Sequence, residues 1–136
     1  MSERVFVDTN VFVYADDAGA KTKRARAREV LSELIRDRRA VVSTQVMQEY
    51  YAAAIRKLRL PPDKARSRVE RLSRLDTIVV RPAIILAAID LHRLHSLSFW
   101  DALVVKSASI AGCARLLSED LANGQVIDGV KIENPF

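Results

Sequence analysis

The chain has 136 residues, 49% of them hydrophobic and 29% charged, with a formal net charge of +5 at pH 7. This length is typical of one globular domain and suffices to bury roughly two thirds of the unfolded chain's surface without disulfides or structural metal. The sequence has no apolar run of about 18 residues and no signal-peptide pattern, which excludes a membrane-spanning class. We therefore expect a single domain over residues 1–136, soluble and cytoplasmic.

The basic residues are concentrated in one part of the chain. Residues 21–74 contain 16 of the 22 Lys and Arg but only 6 of the 17 Asp and Glu. A solvated helix face is the common explanation of such a stretch. The functional explanation is a surface that attracts a phosphate backbone.

The first half of the chain alternates short apolar runs with helical periodicity. A doubly buried strand is predicted at 4–7, and a loop is predicted through 14–19. Apolar spacing predicts a helix from 20 to about 38, then a short strand at 41–43. Ser43 or Thr44 offers an N-cap for the next helix, and the Pro-Pro-Asp sequence at 61–63 ends that helix and starts another.

The second half continues the alternation. Strands are predicted at 77–80 and 114–117, a short edge strand at 130–132, and helices at 82–95 and 98–112. Strands separated by one or two helices imply right-handed crossovers. We therefore predict an α/β fold with a parallel sheet covered by helices on both faces.

Four acidic residues fall where strands end and helices begin. Asp8 follows the first predicted strand and Asp120 follows the fourth, whereas Glu49 and Asp101 lie in the early turns of two helices. In a parallel sheet these positions lie at one edge, so the four carboxylates can converge. Helix N-termini favour negative charge, which offsets part of the repulsion.

Each acid also has a purely structural explanation. Asp8 precedes two small polar residues that favour turns and caps, and Ser98-x-x-Asp101 resembles a capping box. Glu49 could be a solvated helix residue, and Asp120 could be a turn former. The coincidence of all four at one sheet edge favours a shared site.

The type of acid cluster indicates a class of cation and of reaction. Clustered carboxylates repel one another, and a divalent cation removes that repulsion. Oxygen ligands without a nearby His or Cys suit Mg²⁺ or Mn²⁺ rather than zinc. Such ions activate water and neutralise charge on a scissile phosphate. Together with the basic stretch, the acids predict phosphodiester hydrolysis.

Five motifs, in this order and spacing, resemble the PIN-domain family and within it the VapC-type toxins of toxin–antitoxin pairs. They are Val5-Phe6-Val7-Asp8-Thr9-Asn10, Gln45-Val46-Met47-Gln48-Glu49, Ser98-Phe99-Trp100-Asp101-Ala102-Leu103, Leu117-Ser118-Glu119-Asp120-Leu121 and Ile132-Glu133-Asn134-Pro135-Phe136. The resemblance covers essentially the whole chain. It implies a three-layer α/β/α fold, a Mg²⁺- or Mn²⁺-dependent ribonuclease, a homodimer, and inhibition by a VapB-type antitoxin.

The resemblance also assigns residues. Asp8, Glu49, Asp101 and Asp120 take the family's catalytic and metal-binding acidic positions, and Asn10 and Ser118 match polar residues that support the site.

Several other residues have open roles. Lys21, Arg24 and Arg28 share one face of a predicted helix and are candidate contacts for RNA phosphates or for an acidic antitoxin segment. Trp100 is a candidate for stacking on a base, and equally for anchoring its helix in the core or in a dimer interface.

The remaining metal-binding residue types give weak patterns. His92 and His95 lie three apart on a predicted helix but lack a third ligand, which favours surface or partly buried histidines over a zinc site. Cys113 lies in a small apolar run, and we expect a buried, inert thiol.

Three classes of function stay open. A metal-dependent ribonuclease acting as a toxin is favoured. The first alternative is a PIN-type nuclease that works in RNA processing or on DNA without an antitoxin. The second is a non-catalytic nucleic-acid-binding module whose acids are helix caps and turn formers.

Overall fold

The structure, a computed structural model, describes residues 3–136. Its strands are β1 (Val5–Val7), β2 (Ala40–Ser43), β3 (Asp76–Ile78), β4 (Arg115–Leu117), β5 (Val126–Ile127) and β6 (Val130–Glu133). Its helices are α1 (Thr9–Ala15), α2 (Lys21–Arg36), α3 (Thr44–Arg56), α4 (Pro62–Leu72), α5 (Pro82–Leu94) and α6 (Phe99–Ile110). Within residues 3–136, no helix is both long and apolar enough to span a bilayer.

The strands form one sheet in the order β3-β2-β1-β4-β6-β5. Every neighbouring pair is parallel except β5 with β6. Strand β1 lies in the interior of the sheet, where Phe6 pairs in register with Val41 on one side and Leu116 on the other. All three β1 residues are fully buried, as expected of a strand covered by helices on both faces. The predicted α/β fold with a mostly parallel sheet is confirmed.

One helix was not predicted. Residues 9–15 form α1, where a turn and the start of a loop were expected. Its sequence is rich in β-branched and aromatic residues, which are poor helix formers, and a helix this short is marginal by itself. Val11, Phe12, Val13 and Ala15 are all buried, so packing against the rest of the domain stabilises it.

The strand predicted at 130–132 is present as β6, but the prediction that it lies at an edge of the sheet was wrong. Strand β6 lies between β4 and β5, and the edge is the two-residue strand β5. The two form a hairpin whose turn residues, Asp128 and Gly129, have φ values of 51° and 80°. Positive φ at both positions is the type I′ geometry that suits the twist of a hairpin.

The helix starts follow local chemistry. Ser43 is the N-cap of α3, with its Oγ accepting a hydrogen bond of 3.3 Å from the Val46 amide. Pro62 and Pro82 begin α4 and α5, where proline's fixed φ is favourable and its missing N–H is not needed.

A buried valine and an exposed valine offer a matched test of the packing. Val41 is 1% exposed and Val126, at the sheet edge, is 64% exposed. We expect Val41→Ala to lower the free energy of unfolding by about 2 to 3 kcal/mol, because two buried methyl groups are lost and a cavity remains. Val126→Ala should change it by less than about 1 kcal/mol. Urea denaturation measures both; equal effects would contradict the assigned burial.

Candidate active site

The site is built from the end of β1. The backbone amide of Asp8 continues the ladder with a 3.0 Å bond to the Leu117 carbonyl, which fixes the residue beside β4. Asp8 is also the N-cap of α1, and its Oδ1 accepts a 2.8 Å hydrogen bond from the Thr9 amide. The side chain is therefore held between a strand and a helix, and the residue is only 5% exposed.

Ser118 and Asn10 join this carboxylate to the segment after β4. The Ser118 hydroxyl donates to Asp8 Oδ2 at 2.8 Å and accepts the Asp120 amide at 3.1 Å. The Asn10 Nδ2 lies 3.2 Å from Asp120 Oδ2, and its Oδ1 accepts the Glu119 amide at 3.3 Å. The two residues predicted as supporting the site thus contact two of the predicted acids.

Glu49 is held by residues on two elements. Thr9 Oγ1 donates to Glu49 Oε1 at 2.7 Å, which connects α3 to α1. Gln45 Nε2 lies 3.4 Å from both Glu49 Oε2 and the carbonyl of Trp100, which connects α3 to α6. The prediction missed Thr9 and Gln45, although Gln45 lies four residues before Glu49 on the same helix, a spacing at which side chains meet.

Asp101 lies in the first turn of α6. Ser98 caps this helix by accepting the Asp101 amide at 3.1 Å, which is one of the two bonds of the predicted capping box. Burial raises the pKa of the Asp101 carboxyl, the Ser98 hydroxyl opposes that shift, and the charge of Asp120 adds to it. Asp101 and Asp120 are therefore electrostatic neighbours as well as being at one sheet edge.

Burial dominates the electrostatics of Asp8. It raises the pKa of Asp8 to about 6, the hydrogen bonds from Ser118 and Thr9 oppose the shift, and the charges of Glu49 and Asp120 add to it. A carboxylate that is buried next to two others is unfavourable in its charged form unless a cation compensates it.

The donors fit a hydrated cation better than an enclosed one. Within residues 3–136, no three His, Cys, Asp or Glu side chains group closely enough to surround a metal ion. Mg²⁺ retains several waters and commonly takes only one or two carboxylates directly. The loosely spaced, oxygen-only set of Asp8, Glu49, Asp101 and Asp120 matches that chemistry and does not match a closed zinc site.

The predicted nucleic-acid contacts lie on α2. Lys21 is exposed at its start and Arg24 is half-buried one turn later. Arg28 uses its Nε to donate a 2.7 Å hydrogen bond to the Ala15 carbonyl, and so satisfies the C-terminal end of α1. Contact of these residues with RNA stays a prediction.

Trp100, by contrast, is not a core anchor. It is 61% exposed and lies edge-to-face on Phe99, with ring centroids 5.1 Å apart.

His92 and Cys113, which are also of metal-binding residue types, have structural roles. His92 Nδ1 hydrogen-bonds to the Leu97 carbonyl, which uses one ring nitrogen to hold the turn after α5. Cys113 is buried, and burial raises the pKa of its thiol to about 11, as an inert thiol requires.

Comparison with known proteins identifies the fold. The chain is similar to a toxin–antitoxin complex from Klebsiella pneumoniae at 18% identity and TM-score 0.70, covering 97% of this chain and 98% of that one. It is similar to a DNA-bound VapBC from Salmonella typhimurium at 18% identity and TM-score 0.72, covering 99% and 100%. It is also similar to Mycobacterium tuberculosis VapC20, a sarcin-ricin loop cleaving toxin, at 19% identity and TM-score 0.61, covering 82% and 86%. Curated protein sequences give no significant match.

The architecture and the site together define an α/β protein with acidic side chains gathered at the carboxyl edge of a parallel sheet. The PIN domain profile matches residues 5–122. The chain therefore belongs to the PIN-domain family, a family of nucleases that are typically metal-dependent.

The burial of Asp8 predicts a pH dependence of stability. Its pKa in the folded protein, about 6, exceeds the ordinary value of 3.8, so the folded state binds this proton more tightly than the unfolded state. The resulting stabilisation is complete below the lower value and is lost as pH rises through the higher one. In EDTA, we expect the free energy of unfolding of the parent to fall, relative to Asp8→Asn, by about 2 kcal/mol between about pH 4 and pH 7.

Urea denaturation of both proteins across this pH range measures the difference, and titrating groups that do not interact with Asp8 cancel in the comparison. A difference that does not vary with pH would contradict the buried, proton-retaining state of Asp8.

Proposed function

We propose that the chain is a divalent-metal-dependent endoribonuclease that acts as the toxin of a VapBC-type toxin–antitoxin pair. The observation that carries the proposal is the buried Asp8 carboxylate of a PIN-domain chain, on which the charges of Glu49 and Asp120 act. Thr9 bridges it to Glu49, Ser118 and Asn10 bridge it to the Asp120 segment, and the charge of Asp120 acts on Asp101.

The four acids are the residues that would hold Mg²⁺ or Mn²⁺. When bound, the ion supplies an activated water and neutralises charge on the scissile phosphate. Thr9 and Ser118 orient the Asp8 carboxylate through 2.8 Å hydrogen bonds, and Thr9 orients Glu49. Because Asp8 is buried, its charge acts through a medium of lower dielectric than water, which strengthens its attraction for a cation.

RNA is the substrate class that the comparisons support. One similar structure is described as a sarcin-ricin loop cleaving toxin, and two others are toxin–antitoxin or VapBC complexes. The net charge of +5 favours a polyanionic substrate.

A groove between α1, α2, α3 and α4 supports the antitoxin as a partner. Its volume is about 670 Å³, and apolar residues such as Phe12, Leu31 and Leu72 line it. Four arginines and two aspartates also line it, namely Arg38, Arg68, Arg71, Arg74, Asp16 and Asp76. Arg68 is paired with Asp16 and Arg74 with Glu70, so Arg38 and Arg71 are the cations that an acidic partner would meet first. An amphipathic segment with acidic residues is complementary to such a surface.

An apolar face of α5 supports a homodimer. Ile85, Leu86 and Ile89 are exposed on this helix, Leu86 by 63%. Large apolar side chains that are neighbours on one helix mark interaction surfaces more often than scattered ones do. We propose that this face forms the contact between two copies of the chain.

The nuclease activity predicts a specific pattern of loss. Purified protein should cut a pool of structured RNAs in Mg²⁺ or Mn²⁺ and should not cut in EDTA. Asp8→Asn and Asp101→Asn should lower kcat/KM by more than the roughly 10–100-fold typical of an outer-shell residue, because each removes a charged ligand.

Asp37→Asn is the matched control, because Asp37 is an exposed carboxylate at the end of α2, and it should cut like the parent. Circular dichroism checks that every variant is folded. Cleavage that persists in both site variants would identify a contaminant or a wrong site, and no cleavage of any RNA would favour the binding-module alternative.

The dimer predicts an effect of charge on α5. We expect the parent to be a dimer at micromolar concentration by size-exclusion light scattering, and Leu86→Asp to weaken the dimer at least tenfold, about 1.4 kcal/mol. Val126→Asp, which puts the same charge on an exposed residue at the sheet edge, should leave it intact. A monomeric parent would rule out this interface.

A further inference from the structure

A cleft of about 420 Å³ opens beside the carboxylates. Thr9, Asn10, Glu49 and Asp120 line its end next to the site. Arg56 and Lys57, at the C-terminal end of α3, line it too, and Val13, Ala52 and Ala53 contribute its apolar wall. Tyr14 and Glu119 complete the lining, and Glu119 is paired with Lys23. The cleft therefore combines carboxylates, an apolar surface and two cations.

The helix geometry sets the spacing along the cleft. Glu49, Ala52, Ala53 and Arg56 follow one another at helical spacing, so one face of α3 runs the length of the cleft. Arg56 comes seven positions after Glu49, which is about 10 Å along the helix axis. A group bound by Arg56 therefore lies farther along the cleft than a phosphate bound next to the acids.

The two cations are available to a ligand. Both residues are exposed, and neither forms an ion pair within residues 3–136. Lys57 Nζ lies 5.4 Å from the centroid of the Tyr14 ring, a cation–π contact that holds its stem along the cleft. Lys23, the nearby cation on α2, is by contrast paired with Glu119.

We infer that this cleft binds a nucleotide of the substrate strand next to the scissile phosphate, with Arg56 and Lys57 on its phosphodiester group. The inference rests on the proposed function for the identity of the strand. Arginine binds phosphate in a planar, bidentate manner and lysine binds it as a point charge, so the pair suits one phosphodiester. The volume lies within the range of small-molecule sites, and the apolar wall accommodates a sugar or base.

The test compares binding and cleavage in one set of variants. Arg56→Gln/Lys57→Gln removes both cations, and Arg36→Gln/Lys131→Gln removes the same charge where α2 ends and β6 begins, outside the cleft residues. Fluorescence anisotropy with a labelled single-stranded RNA in EDTA gives Kd as a function of salt. Steady-state cleavage in Mg²⁺ gives KM and kcat separately.

We expect the cleft variant to raise Kd and KM about tenfold, with kcat changed less than about threefold, because the contacts bind the substrate without touching the reacting atoms. The slope of log Kd against log salt should fall by about 0.7, which is the contribution of one single-strand phosphate contact. The charge-preserving variant Arg56→Lys/Lys57→Arg should restore most of the affinity. The control pair should leave Kd, KM and slope unchanged.

Each outcome separates the two proposals. If the parent cuts RNA but the cleft variant binds and cuts like the control pair, the subsite is wrong and the nuclease stands. If the cleft variant loses RNA binding but the parent never cuts, the cleft is an RNA-binding site, and both the nuclease and the neighbouring scissile phosphate are wrong. If the cleft variant loses binding of polyglutamate and keeps that of RNA, the cleft serves an acidic protein segment and the subsite is overturned.

Discussion

The buried carboxylate of Asp8 is the group on which the rest of the site depends. It ends β1, caps α1, and accepts a hydrogen bond from Ser118 after β4. A buried charge without partners is strongly unfavourable, so the burial of Asp8 requires these hydrogen-bond donors. Because one side chain joins a strand, a helix and a loop, the same contacts determine both the geometry of the site and the packing of α1.

Much of this arrangement could be predicted from the sequence because the sheet topology determines which residues meet at one edge. Apolar runs and helical spacing locate the strands that end shortly before Asp8 and Asp120 to within a few residues. Once the sheet is parallel, residues that follow strands lie at one edge whatever their distance in sequence. The contact of Asn10 with Asp120, 110 residues away, is of this kind.

The remaining features depend on packing that no local pattern contains. Helix α1 has a sequence better suited to a strand and exists because its apolar residues are buried. The bond between Thr9 and Glu49 requires α1 and α3 to be in contact, so it is invisible without α1. Within residues 3–136, Gln45 Oε1 is buried without a hydrogen-bond partner, a feature that no local sequence pattern indicates. The order of β5 and β6 is likewise unreadable, because a two-residue strand gives no period.

The two edges of the sheet limit how copies of this chain can associate. One edge is the three-residue strand β3 and the other is the two-residue strand β5. Such short edges offer very few free backbone groups to an incoming strand, which protects the monomer against runaway edge-to-edge polymerisation. The same shortness disfavours a continuous intermolecular sheet and leaves the helices as the larger surfaces for a specific assembly. Quaternary structure in this protein is therefore free to vary with surface residues while the sheet and its carboxyl edge stay unchanged.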